Sequence, residues 1–188
     1  MTASPFPELL ETARLRLRPL GPSDVDVVHR LWAERDPRLP AHRRVDDEGR
    51  PTREEVGDRL TVQREESLRT GIGLLAIERR DAAGVIGYCG LVVGSASVEE
   101  PELAIELLRS VHGAGIATEA ACAVVDAARA TGRTRLWSTV RRWNSASARV
   151  LTKAGFADSG RITADPEHGD LVWMTRDLRE ADTPAAGA

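Results

Sequence analysis

Residues 14–18 read Arg-Leu-Arg-Leu-Arg, a strict alternation of polar and apolar positions. A period of two puts alternate side chains on opposite faces, so a half-buried strand is predicted. Pro19 and Gly21-Pro22 end it. Val25, Val28, Leu31 and Trp32 then recur at helical spacing behind Ser23-Asp24, which offers an N-cap. Residues 35–51 are dense in charge and prolines and read as a mobile loop over the site. Thr52-Arg53-Glu54-Glu55 is a capping-box pattern, and a charged helix to about Leu68 follows.

Residues 73–80 and 85–93 are predicted strands joined by a hairpin turn at 81–84. After a polar loop, Pro101 cannot donate to a ladder, so the next strand starts beyond it and covers 103–108. Residues 120–130 are Ala-rich and lack Pro and Gly, which predicts a helix that begins near Ile116 and ends at Gly132. Residues 136–140 alternate as a strand, 145–154 form a short helix closed by Gly155, and Phe156-Ala157 pairs with 171–175 around a polar loop at 160–170. Residues 1–10 are expected as a loose arm, 11–180 as one α/β domain with a mixed sheet, and 181–188 as a disordered tail.

Composition narrows the function classes. The chain has 188 residues, 41% of them apolar, enough for one domain with a sizeable core. A net charge of −3 implies neither a nucleic-acid nor an anionic-membrane partner. Cys89 and Cys122 lie far apart without metal-ligand spacing, and read as small apolar residues in a reducing compartment. No metal is expected. With no long apolar run and no signal-peptide pattern, the expected location is the cytoplasm.

The chemistry centres on residues 112–119, His-Gly-Ala-Gly-Ile-Ala-Thr-Glu, between a predicted strand and a predicted helix. Two glycines let backbone N–H groups turn inward, and the helix start adds unpaired N–H groups and its positive dipole end. The outline is a phosphate cradle. A P-loop needs Lys and then Ser or Thr after the second Gly, where this chain has Ile116-Ala117. A dinucleotide fingerprint needs a third Gly, where Thr118 stands. A diphosphate held by backbone without metal remains.

These residues resemble the Gcn5-related N-acetyltransferases. The family's acyl-CoA loop, Gln/Arg-x-x-Gly-x-Gly/Ala, matches residues 112–117 except that His112 stands at the first position. Asn144-Ser145-Ala146-Ser147, then Val150-Leu151, then Lys153-Ala154-Gly155-Phe156, resembles the family's second block. The Gly-Ile-Ala-Thr-Glu-Ala run and Ser147 are similar to the ribosomal-protein N-terminal acetyltransferase (RimJ/RimL) branch. The resemblance implies a mostly antiparallel mixed sheet, helices on both faces and a splayed central strand pair. It implies acetyl-CoA as co-substrate, an amine acceptor from a small molecule or a protein N-terminus, and a monomer or homodimer. The implied cofactor contacts are Ile105, Glu106 and Leu107 on the strand, then His112, Gly113, Ala114, Gly115, Ile116, Ala117 and Thr118 around the turn, with Asn144 and Ser147 beyond.

Amide formation from a thioester requires a deprotonated amine, a stabilised oxyanion and a tolerated thiolate. The pantetheine arm spans on the order of 16 Å and a strand rises roughly 3.3 Å per residue, which puts the thioester beside Ile105 and Glu106. An N–H of that pair is the expected oxyanion donor. Glu102 and Glu106 share a strand face about 13 Å apart, so one at most acts on the reacting carbon. Glu102, on the amine's entry side, is the expected general base, with Glu106 as the alternative. Leu151 stands where much of the family has an acid Tyr, which leaves Ser147 as the nearest hydroxyl for the leaving sulfur. Two other functions compete: a catalytically silent acyl-CoA-binding or regulatory module on this fold, and an unrelated α/β protein binding another phosphate.

Overall fold

The computed structural model describes residues 5–179. The alternating segment becomes β2 (Leu15–Pro19), paired on one side with the short β1 (Leu10–Glu11) and on the other with β3 (Leu74–Arg79). β3 turns into β4 (Val85–Val92), and β4 pairs with β5 (Glu102–Leu107). β6 (Arg135–Arg141) follows, then the hairpin β7 (Ala157–Thr163) and β8 (Leu171–Asp177). The eight strands lie in the order β1-β2-β3-β4-β5-β6-β8-β7. Each neighbouring pair is antiparallel except β5 and β6, which are parallel.

Alternation along the strands divides the core in two. Leu15, Leu17, Leu75, Ile77, Cys89, Leu91, Leu103 and Leu107 face α3 (Ile116–Ala130) and α4 (Ser145–Lys153). Ala76 and Tyr88 face α1 (Val25–Ala33) and α2 (Arg53–Thr70), with Val28, Leu31, Val56 and Leu60. The result is a single α/β domain with helices on both faces. α3 meets the sheet through Ala120, Ala121, Ala127 and Ala128, so small side chains let it lie close beneath the strands. Gly132, at φ +84°, takes the left-handed conformation that closes it.

The capping box at α2 forms as its residues imply: the Thr52 hydroxyl accepts the Glu55 N–H at 3.3 Å, and Glu55 accepts the Thr52 N–H at 2.7 Å. Three expectations differ. The segment 1–10 is anchored where described: Phe6 is buried and its N–H donates to the Gly71 carbonyl, and Leu10 is in β1. Its first four residues and the tail expected at 181–188 lie outside the described residues. Asp24 does not cap α1; it is buried, takes the Arg18 guanidinium at 3.0 and 2.8 Å, and accepts the Gly21 N–H at 3.1 Å in the turn before the helix. The polar loop expected from 160 starts after Thr163, because β7 is an exposed edge strand with no apolar face to announce it.

Beside the start of β3, Gly90 of β4 has no room for a side chain: a Cβ would stand 2.3 Å from the Gly73 carbonyl oxygen. Gly90→Ala should therefore cost about 1–3 kcal/mol, the usual range for forcing a methyl into a packed interior. A urea unfolding midpoint at neutral pH checks this; an unchanged midpoint would refute the close approach.

Candidate active site

β5 and β6 share one register pair, Glu102 with Trp137, and then part. The Trp137 N–H donates to the Pro101 carbonyl at 3.0 Å, and the buried Ser138 hydroxyl reaches across to the Leu103 carbonyl at 2.9 Å. Backbone groups of alternate strand residues face the same side. Ile105 therefore presents its N–H and carbonyl to the gap. The Glu106 carbonyl faces the other way, toward Gly87, where a Cβ would come within 2.2 Å of it. Of the expected oxyanion pair, Ile105 is the residue whose backbone lines the opening.

A short turn at Arg109–Val111 leads to the glycine segment. Gly113 and Gly115 have φ of +80° and +77°, which L side chains rarely adopt. Space beside Gly113 is open, and α3 starts at Ile116 with the unpaired N–H groups of a helix start. Ile116, Ala117 and Thr118 form its first turn. A His112 ring nitrogen contacts the Leu107 carbonyl at 3.0 Å, so the ring braces the end of β5. This arrangement fits a diphosphate.

The cradle is held by residues the sequence reading left out. Arg14 donates to the Ala114 carbonyl at 2.9 Å and to Glu119 at 2.6 Å, and Thr12 donates to Glu119 at 2.5 Å. Burial pushes the Glu119 carboxyl upward, but the hydrogen bonds from Thr12 and Arg14 outweigh it and its pKa is lowered. Arg14 sits in the alternating segment, where nothing in the pattern distinguishes it from the other solvated arginines of a strand face.

Asn144 is the N-cap of α4, its Oδ1 accepting the Ser147 N–H at 3.1 Å. The Ser147 side chain is half-buried, and its hydroxyl makes no hydrogen bond among the described residues. Leu151 is buried in the core.

The two carboxylates of β5 share a face, as an unbroken register with β4 requires, but differ in surroundings. Glu102 is buried; one oxygen accepts the Ser95 N–H at 2.6 Å and the other the Thr139 hydroxyl at 3.3 Å. Glu106 takes Arg35 in a fork at 2.7 and 2.5 Å and accepts the hydroxyl of Tyr88, the only tyrosine. Burial, then the negative charge of Glu106, pushes the Tyr88 pKa well above the ordinary tyrosine range, so it remains a donor. Burial disfavours the Arg35 charge, and the bonds to and charges of Glu106 and Tyr88 together more than offset this, so its pKa is raised. Arg35 lies 71 residues from Glu106, a separation no local pattern reveals. Trp137 and Trp173 pack edge to face at 6.0 Å, and Trp143 donates to the His168 carbonyl at 2.8 Å.

A family model described as the acetyltransferase (GNAT) domain matches residues 14–157. The chain belongs to the GNAT acetyltransferase family. As a member, it is an acetyl-CoA-dependent acyltransferase. Solved structures agree in fold. An acetyltransferase from Agrobacterium tumefaciens is 26% identical with a TM-score of 0.68, the match covering 89% of this chain and 93% of that one. A ribosomal-protein-S5-alanine acetyltransferase from Vibrio fischeri is 17% identical with a TM-score of 0.68, covering 90% and 96%. The ribosomal α-N-protein acetyltransferase RimL, in complex with coenzyme A, is 16% identical with a TM-score of 0.70, covering 93% and 98%. No curated protein matches the chain significantly. Among the described residues of this GNAT chain, no helix is long and apolar enough to cross a membrane.

The clamp on the GNAT turn should be visible in pH-dependent stability. A carboxylate with a lowered folded pKa stabilises above its unfolded value and loses that contribution as pH falls through the folded one. Glu119→Gln should therefore destabilise the protein at pH 7, with the difference from wild type shrinking below the ordinary glutamate value of 4.5. Thermal melts of both proteins at pH 7 and pH 3 test the sign; a gap that widens in acid contradicts it.

Proposed function

We propose that this protein transfers an acetyl group from acetyl-CoA to a primary amine, of a small molecule or a protein N-terminus, by direct attack of the amine. The observation that carries this is the parting of β5 from β6 immediately before an open glycine turn. RimL's bound coenzyme A supports the same co-substrate here. Acetyl-CoA supplies an activated acyl thioester. Gly113, Ala114, Gly115 and the first N–H groups of α3 would hold its diphosphate, with no metal in the reading. Ile105 and Leu107 would hold the pantetheine along β5, and the Ile105 N–H would take the negative charge that builds on the thioester oxygen.

Proton transfer is assigned from the surroundings of each side chain. Glu102 is enclosed and ties the 93–101 loop to β6 through Ser95 and Thr139. Glu106 is 21% exposed at its side chain and stands in the cluster that Arg35 brings from the acceptor side. The amine's proton therefore goes to Glu106, directly or through water, while Glu102 holds the wall of the cleft. This reverses the order that strand spacing alone suggested. Ser147, with an uncommitted hydroxyl, is the proton donor to the departing sulfur. A thiol of pKa near ~8.5 leaves adequately without a strong acid, so this contribution is small.

Gly115→Glu would set a negative charge where the diphosphate is held, and should abolish the rise in Tm that acetyl-CoA gives the wild type; an undiminished rise would remove the turn from the site. Kinetics at saturating acetyl-CoA test the proton path. Glu106→Gln should lower kcat/KM by about 10²–10⁴-fold, the range of general-base catalysis, with residual activity rising at high pH. Ser147→Ala should lose about tenfold or less. Glu102→Gln as the crippled variant, with Glu106→Gln near wild type, would return the base role to Glu102.

A further inference from the structure

The cleft above the α1–α2 face of the sheet holds more guanidinium than its carboxylates engage. Arg141, at the end of β6, is 7% exposed at its side chain. Its Nη1 donates to Asp165 at 2.6 Å and to the Gly169 carbonyl. Its Nε is buried with no hydrogen-bond partner. A buried donor without an acceptor is rare enough in native structures to require a reason.

Arg43 supplies the second half. It sits in the short turn Ala41–Arg43, whose backbone is held when Arg35 donates to the Arg43 carbonyl. Its guanidinium makes no hydrogen bond or ion pair among the described residues. Arg43 is exposed at the mouth of the cleft; partial loss of water around its guanidinium, then the positive charges of Arg35 and Arg141, lower its pKa. Arg43 and Arg141 thus lie near enough to feel each other's charge, and among the described residues no carboxylate pairs with Arg43. Arg38 fixes the approach, stacking on Trp143 at 3.9 Å and fastening the 35–44 segment to the turn after β6. Two nearby carboxylates are engaged, Asp165 by Arg141 and Asp170 3.7 Å from Arg142, while Glu106 takes Arg35 and Tyr88 and keeps its side chain 21% exposed to the cleft.

We propose that Arg43 and the Nε edge of Arg141 bind a carboxylate carried by the amine acceptor. This rests on the acetyltransferase reading and names the acceptor's chemistry. A planar carboxylate matches guanidinium donors in geometry as well as charge. Glu106 faces the same cluster with negative charge, so the cleft is complementary to a molecule with an ammonium at one end and a carboxylate at the other. Polyamines and aminoglycosides, cationic throughout, meet Arg43 and Arg141 with like charge and are disfavoured.

The test is acetylation of free amino acids, the same amino acids as C-terminal amides, and amidated peptides with an acidic or neutral first residue, read by mass spectrometry and thiol release. Wild type should favour the carboxylate form over its neutral counterpart by about tenfold or more in kcat/KM, the weight of one charge-assisted hydrogen bond. Arg43→Ala should collapse that ratio toward one, through KM. A gain with free amino acids assigns the carboxylate to the acceptor's own α-carboxyl; a gain with acidic first residues assigns it to a side chain; either supports the site. Calorimetry on the CoA-loaded protein, comparing an N-acetyl amino acid with its amide, gives a readout independent of turnover. Equal treatment of acid and amide, or a preference that survives Arg43→Ala, would overturn the proposal. No acetylation of any amine, with no Tm shift from acetyl-CoA, would instead overturn the acetyltransferase reading and this proposal with it.

Discussion

The rest of the structure depends on a ladder that stops. β5 and β6 run parallel and share one register pair before they diverge, although each is fully paired on its other side. Unpaired backbone groups inside a sheet carry a free-energy cost, and the fold offsets it locally. Ser138 reaches the Leu103 carbonyl, and His112 meets the Leu107 carbonyl. Between these two, Ile105 is left facing the opening. A groove lined by strand amides, ending at a helix N-terminus, suits an extended amide-bearing chain with a diphosphate at one end. On the proposed reading, the same opening that weakens the sheet would supply its binding surface.

Keeping the two halves apart requires rigidity on either side. Beneath, α3 lies close through its alanines, which makes it a spacer for β5 and the support of the glycine turn. Arg14 links the turn to β2 through Ala114 and Glu119. Above, Arg35 reaches over the sheet to Glu106, carrying the segment after α1 with it. A partly buried ion pair is weak evidence for stability, because desolvation offsets much of its attraction. Its value here is registration: the fork fixes where the 35–44 segment sits, and so where Arg38 and Arg43 arrive.

Most elements were legible because each carries a local signal. Strict alternation marked β2, the Thr52–Glu55 pattern marked the start of α2, and two glycines between an apolar run and an alanine-rich run marked the turn. What the sequence did not show is set by contacts distant along the chain. Asp24 looks like a cap until Arg18, across a turn, claims both its oxygens. Phe6 looks like part of an arm until a core 65 residues later receives it beside Gly71. β7 went unread beyond its first residues because an exposed edge strand buries no face. Arg35 looked like loop charge because its partner, Glu106, lies on β5.

Glu102 and Glu106 illustrate why residue type and spacing stop short of a role. They are the same residue, on one strand, one face and four positions apart. Spacing along β5 assigns the base to the end where the amine enters. The environment argues otherwise. At Glu102 the neighbouring loop turns back, and its oxygens are taken up by a backbone N–H and a threonine hydroxyl. A carboxylate so enclosed positions a loop well and exchanges protons with an incoming amine poorly, because the amine would first have to displace the loop. At Glu106 the oxygens are engaged too, by Arg35 from the acceptor side and by Tyr88 of the neighbouring β4, but the side chain keeps a path to solvent and no loop closes over it. In the proposed reaction its negative charge, near Arg43, would give an ammonium a place to settle before it loses its proton. On the acceptor side, the order of charges over the sheet is what separates two otherwise equivalent glutamates.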